Sequence, residues 1–268
     1  MKFLIYAKQL SSGLSVDPIV IKNALLDCKI ENSDIYITDN ETLNNHNNET
    51  YQAVFILQNI NPTIFKDIKA KYYVLVPNVE FVEEWDLKFL PNIDFIMCKT
   101  DQVYKYFADK VGTKKLILTY FTTPYDEFIT DRVRDYTKVF HPAGTSFLKG
   151  TYEVLMAFTS SIYAKKLSKY TLYITRNPIV NKNSNDMKLW SKLRPRKDSI
   201  IINGKKINCE RYKNIYMFKW IPEQTYKYLL ETCGVHLMPS IAEGFGIAAD
   251  KSRQAGIISI VTDCEPLN

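Results

Sequence analysis

Residues 239–250, PSIAEGFGIAAD, set a carboxylate, Glu243, directly before two glycines that flank Phe245, in a chain with nine glycines among 268 residues. The segment follows the apolar run VHLMP (235–239) and opens a helical pattern. Free N–H groups and the positive end of the dipole make a helix amino terminus attractive to electron-rich groups. Gly244, Phe245 and Gly246 can therefore offer backbone amides to a ligand, while Glu243 accepts hydrogen bonds from hydroxyls. A second junction of the same kind lies in HPAGTSFLKGTYEVLMAF (141–158). There Gly144 stands just past a strand, Thr145 and Ser146 bring hydroxyls, and Lys149-Gly150 begin a helix. Lysine is a flexible point charge suited to a diphosphate. Taken one at a time, these residues also read as a glycine turn, a solvated acid and a surface lysine. Taken together, they describe a pocket for a phosphorylated, hydroxyl-rich molecule.

Fewer residues of the first half invite chemistry. VLVPNVEFVEEW (74–85) places Asn78 and Glu80 in a loop after a buried strand, and SSGLS places Ser12 and Gly13 after the first strand. His141 and His236 fall inside strands, where a structural role is expected. The five cysteines form no CxxC or Cys/His cluster, so neither a zinc site nor a disulfide framework is indicated, and a reducing compartment fits. No acidic DxD pair marks a metal site.

Positioning these loops takes strands and helices in alternation. Apolar runs predict strands at 2–7, 34–38, 53–58, 72–76, 94–98 and 115–119, then at 138–143, 171–175, 199–202, 215–220, 235–239 and 257–262. Continuous rather than alternating hydrophobicity fits parallel strands buried on both faces. Helices are expected after Asp17, as cap, with Pro18 opening the first turn; at about 150–165, with Val154, Phe158 and Ile162 on one face; at 222–232; and at 246–255, closed by Gly256. The asparagine-rich 39–50 reads as a surface loop. The fold class is α/β, with two doubly wound, Rossmann-like domains, 1–133 and 134–268, joined through the polar stretch 129–138. Ligands then belong beyond the carboxyl ends of strands.

The net charge of +6 mildly favours an anionic ligand. Lysine and arginine read as scattered without an aromatic-interleaved stripe, so nucleic acid is not expected as a partner. No run approaches the ~20 apolar residues of a membrane helix, and MKFLIYAKQL is too short for a signal core. A cytoplasmic protein with no integral membrane segment is expected.

The second half resembles the nucleotide-sugar domain of GT-B glycosyltransferases, in particular the retaining family 4. That family's pattern is G-R-x-x-x-x-K-G, then P-S-x-x-E-G-F-G with a second glutamate eight residues after the first, then D-x-x-P-x-N-E. The matches are Gly144, Lys149 and Gly150; Pro239, Ser240, Glu243, Gly244, Phe245 and Gly246; and Asp263, Pro266 and Asn268. The resemblance implies two domains facing a cleft, here with a second domain that stops short, and metal-independent transfer of a sugar to a hydroxyl acceptor with retention (EC 2.4). It implies that Glu243 binds donor-sugar hydroxyls and that Lys149 neutralises the diphosphate of a UDP- or GDP-sugar. Gly244, Phe245 and Gly246 would hold sugar and phosphate, Ser12 and Gly13 would approach the phosphates, and Asn78 and Glu80 would lie on the acceptor side. The donor is a substrate, and no cofactor is implied. Three departures stand out. Thr145 replaces the family arginine, leaving another cation such as Arg176 to supply that charge. Lys251 replaces the second glutamate, with Asp250 as the neighbouring substitute for ribose. The chain stops at Asn268, before the family's glutamate. An impaired nucleotide-sugar-binding or regulatory module is the alternative.

Overall fold

The computed structural model describes residues 1–268 except 9–15, 124–126, 145, 177–182, 242, 244, 265–266 and 268, and except the side chains of Glu80, Phe147 and Ala164. The chain forms two compact units, Met1–Pro124 and Tyr125–Asn268. The first is built from β1 (Phe3–Ala7), α1 (Val16–Asp27), β2 (Ile35–Thr38), β3 (Thr50–Leu57), α2 (Thr63–Asp67), β4 (Lys69–Val76), β5 (Phe95–Cys98), α3 (Asp101–Val111) and β6 (Leu116–Leu118). Its sheet runs β2-β1-β3-β4-β5-β6, every pairing parallel. All five residues of β1 are buried, as a strand covered on both faces requires. Leu25 of α1 packs with Phe3, Ala53 and Val74, while Ile64, Val103 and Phe107 join the larger cluster around Leu4, Val54 and Ile96. Val103 and Phe107 are one helical turn apart on α3, each contributing roughly 1.5–3 kcal/mol by burial. The Thr100 side chain caps that helix by accepting from the Val103 N–H, and Gly112 ends it at φ +70°.

The second unit contains β7 (Asp135–Gly144), α4 (Thr151–Thr159), α5 (Ala164–Leu167), β8 (Thr171–Arg176), α6 (Asn185–Lys192), β9 (Arg196–Ile202), β10 (Lys205–Tyr212), β11 (Ile215–Phe218), α7 (Glu223–Thr232), β12 (Cys233–Met238), α8 (Ile247–Ala255) and β13 (Ile258–Val261). Its sheet order is β13-β12-β7-β8-β11-β10-β9. The core strands pair in parallel, and only β9–β10 and β10–β11 are antiparallel. Val154, Leu155, Phe158, Met187 and Trp190 of α4 and α6 pack in one cluster, and Leu229, Leu230 and Ala255 of α7 and α8 pack in another.

Several expectations are corrected. The chain divides at Pro124/Tyr125, before the expected 133/134 boundary. The reason is bonding within the second unit: Glu231 accepts from the Ile129 N–H at 2.9 Å and pairs with Arg132 at 2.9 Å, while Arg134 donates to the carbonyls of Leu230, Cys233 and Ala255. The polar stretch is therefore stitched onto α7 and β12. Strand β10 was not anticipated, because charged and polar residues surround the two buried apolar positions of KKINCERY, Ile207 and Cys209, although the strand is paired on both sides. The helix expected to 165 ends at Thr159, and Ile162 is exposed. Asp17 lies inside α1 rather than capping it, and is buried.

Candidate functional site

From β7 the chain winds to β8 on one side, yet β12 pairs with β7 on the other. At such a reversal the loops leaving neighbouring strands diverge and open a crevice beyond the carboxyl ends. The two glycine-bearing junctions are the loops after β7 and β12, and the fold makes them neighbours. The Ile241 N–H donates to the Leu148 carbonyl at 2.7 Å. Gly150, at φ +69°, lies so near Pro239 that any Cβ would overlap the Pro239 carbonyl.

The Lys149 ammonium donates to Glu243 Oε1 at 2.5 Å, with the side chains 22% and 8% exposed. Partial burial shields this pair from the screening that makes surface pairs nearly worthless. His141 pins the roots of both loops. Its Nδ1–H donates to the Leu237 carbonyl at 2.8 Å, so Nε2 accepts the Thr151 hydroxyl at 3.0 Å, tying β7 to β12 and α4. Burial pushes this imidazole from 6.5 down to about 4, so it is neutral at pH 7. His236 follows the same logic on β12. Ser252 donates its hydroxyl to the Ala248 carbonyl at 2.8 Å, which leaves His236 Nδ1 to donate to Ser252 Oγ. Among the described residues, His236 Nε2 is buried without a hydrogen-bond partner, as is Ser240 Oγ at the start of the β12 loop. Burial lowers the His236 pKa to about 3, with the charges of His141 and Lys149 adding to the effect.

The other sequence candidates have definite places. Gly144 ends β7 at φ +59°, and Ser146 Oγ accepts from the Leu148 N–H at 3.2 Å, shaping the turn that presents Lys149. Gly246, at φ +84°, stands immediately before α8, with Phe245 preceding it. Asp250, in the first turn of α8, already accepts from Arg253 at 2.7 Å and Gln254 at 3.1 Å. Lys251 follows it on the helix. Thr145, Gly244, Pro266 and Asn268 lie outside the described residues, as do Ser12 and Gly13 of the first unit.

Arg176 does not supply the exposed cation that Thr145 leaves missing. It is fully buried, its Nε donating to Asp186 at 2.7 Å and its Nη1 to the Gly144 carbonyl at 3.3 Å, with Nη2 unpartnered among the described residues. Its place is beneath the site, bracing the β7 loop against α6. A cavity of about 420 Å³ opens nearby, lined by Tyr152 and Glu153 of α4, residues 183–186 at the start of α6, and Ile241. Residues 183–186 were missed in the sequence. The Ser-Asn-Asp run ahead of an amphipathic segment was the available signal.

In the first unit, Asn78 follows β4, is buried, and leaves its Oδ1 without a hydrogen-bond partner among the described residues. The side chain of Glu80 lies outside the described atoms. Another missed pair sits near the same strand ends. Lys99, just after β5, donates to Asp17 at 2.8 Å, both side chains almost wholly buried, with Phe121 beside the ammonium at 5.4 Å. An unpaired lysine at that depth would be strongly penalised, so the two charges stand or fall together. No group of three or more His, Cys, Asp or Glu among the described residues is arranged to hold a metal ion. None of the described helices is long and apolar enough to cross a membrane.

Two Rossmann-like units in series, the second carrying its loops at a strand-order reversal, define the GT-B fold, which this chain shares with solved glycosyltransferases. It is similar to HepE from Anabaena, solved with UDP-glucose, at TM-score 0.62 and 11% identity over 98% of this chain and 81% of that one. A UDP-forming trehalose-phosphate synthase from Burkholderia vietnamiensis matches at TM-score 0.61 and 8% identity, over 98% of this chain and 85% of that one. The pneumococcal O-GlcNAc transferase GtfA, solved with UDP and GlcNAc, matches at TM-score 0.52 and 11% identity over 80% of this chain. There the match spans only 42% of GtfA. No family model and no curated protein matches the sequence.

Proposed function

We propose that this protein is a glycosyltransferase (EC 2.4) that moves a sugar from a UDP- or GDP-linked donor to a hydroxyl of a glycan or similar acceptor. The observation that carries this reading is the Lys149–Glu243 contact at the strand-order reversal. Without a donor the two charges satisfy one another. A bound donor divides them, its diphosphate taking the ammonium and its sugar hydroxyls taking the carboxylate. As the bond from the anomeric carbon to the phosphate oxygen breaks, the electron pair leaves with the phosphate. Positive charge then builds on the sugar ring, and Lys149 stabilises the growing negative charge on the leaving group. The acceptor oxygen bonds to the anomeric carbon in its place, and the acceptor's hydroxyl proton passes to the departing phosphate oxygen.

Retention and independence from metal rest on the resemblance of the two junctions to the retaining family. The cavity lined by Tyr152, Glu153, residues 183–186 and Ile241 falls within the volume range of small-molecule sites and supports a donor subsite on that side of the two loops. Asn78, its carbonyl oxygen unpartnered among the described residues, and Glu80 are assigned to the acceptor side. Five free cysteines support a reducing, cytoplasmic setting.

A panel of UDP- and GDP-sugars, read first by thermal shift and then by donor turnover, tests the proposal. Saturation at a hundred times Kd should stabilise the fold by about 2.7 kcal/mol. A panel in which no nucleotide sugar raises Tm would overturn it.

A further inference from the structure

The net charge of this protein is unevenly held. Residues 160–214 contain 14 of the 35 lysines and arginines but only 3 of the 29 acidic residues, so the remainder of the chain is net negative. The reading of these cations as scattered missed this, because β8, β9, β10 and α6 separate them along the sequence. In the structure Arg194, Arg196, Arg211 and Lys213 line one cavity of about 370 Å³, together with Tyr212. Arg196 opens β9, Arg211 lies near the end of β10, and Lys213 stands in the turn before β11. The cavity is therefore at the amino edge of the second sheet, opposite the edge that carries Lys149 and Glu243.

Three features hold positive charge here against local preference. Arg194 at φ +54° and Lys213 at φ +51° both adopt the left-handed conformation that asparagine or glycine tolerates better. Arg196 and Arg211 face one another directly across the β9–β10 pair, where like charges repel. Among the described residues only Asp198 intervenes, 3.4 Å from Arg211 and 3.9 Å from Arg196. The Arg194 guanidinium has no hydrogen bond or ion pair among the described residues. Arg211 is also pre-arranged, its Nε donating to the Lys213 carbonyl at 2.8 Å and its guanidinium lying 4.9 Å from the Tyr216 ring.

We infer that this cavity is a second anion site, taking a phosphate or phosphoester group through the guanidinium forks of Arg194, Arg196 and Arg211. The group reaches it on a soluble phosphorylated compound or on a phospholipid headgroup. The inference does not depend on the donor site.

Inorganic pyrophosphate and vesicles containing phosphatidylglycerol serve as separate probes, read by hydrogen–deuterium exchange at 194–198 and 211–213. The test variant is Arg194→Asn/Lys213→Asn, which removes two charges while placing asparagine where the backbone is left-handed. Its Tm should equal or exceed that of the parent. Protection by pyrophosphate, persisting in Lys149→Ala and weakened at least tenfold in the double variant, supports the site and a soluble source. Protection by the vesicles alone, lost in the double variant, supports the site and a headgroup source. No protection by either probe, or equal protection of the double variant and the parent, overturns the inference.

Discussion

Gly150 and Pro239 approach so closely that the glycine α-carbon has no room for a methyl group: the Pro239 carbonyl occupies the place. This contact joins the loop holding Lys149 to the loop holding Glu243. Gly144, a few residues earlier, has a similarly left-handed backbone, but among the described residues nothing lies within 4 Å of where a Cβ would stand. The two glycines thus separate conformational strain from collision. Gly144→Ala should cost about 1–2 kcal/mol, the left-handed penalty alone. Gly150→Ala should cost more and reduce activity further, since the loops must part. Urea unfolding of both variants measures the difference, and equal losses would contradict the contact.

Removing either charge of the ion pair should harm catalysis in different ways. Glu243→Ala is expected to abolish turnover with the fold near normal. Lys149→Ala should raise the donor KM and lower kcat, because leaving-group charge grows in the transition state. Steady-state kinetics checks both, and an unchanged kcat/KM for Lys149→Ala would remove it from the diphosphate.

The two buried histidines predict a loss of stability in acid. Their folded pKa values, about 4 for His141 and about 3 for His236, lie below the ordinary 6.5. The unfolded chain therefore binds these protons first. Their contribution is complete above pH 6.5 and declines as pH falls toward the folded values. For His141 the loss by pH 4 is about 3 kcal/mol. Chemical denaturation between pH 7 and 4 reads the slope, which should flatten in His141→Gln.

Arg176→Ala should be among the most damaging changes in the second unit. It strands the buried carboxylate of Asp186 and releases the Gly144 carbonyl. Breaking one side of a buried pair costs about 3–5 kcal/mol. Arg176→Met/Asp186→Leu should recover much of that stability without restoring activity, if the arginine also positions the β7 loop. Recovery of both would assign it a purely structural role.

Much of the architecture was legible beforehand. Runs such as KFLIYA and DFIMC declare parallel strands through unbroken hydrophobicity, and the two junctions declare themselves through glycine, lysine and glutamate at strand-to-helix turns. Strand β10 was harder, since charged and polar neighbours mask the alternation of its buried Ile207 and Cys209. Its one clear signal was Asn203-Gly204, whose φ values of +50° and +72° make the two-residue hairpin turn. The unit boundary was misplaced because the polarity of 129–138 reflects bonds to Glu231 and to backbone carbonyls rather than a free linker.

By itself, the sequence determined element types and the residues at each turn, because these follow from local periodicity, backbone freedom and capping. Tertiary structure alone decided which turns meet. Lys149 and Glu243 stand 94 positions apart and touch only because β12 returns to pair with β7. Nor could spacing reveal that Arg176 would be buried beneath the site, or that cations spread over 194–213 would share one cavity. Charge acts through distance and dielectric, and both are set by the fold.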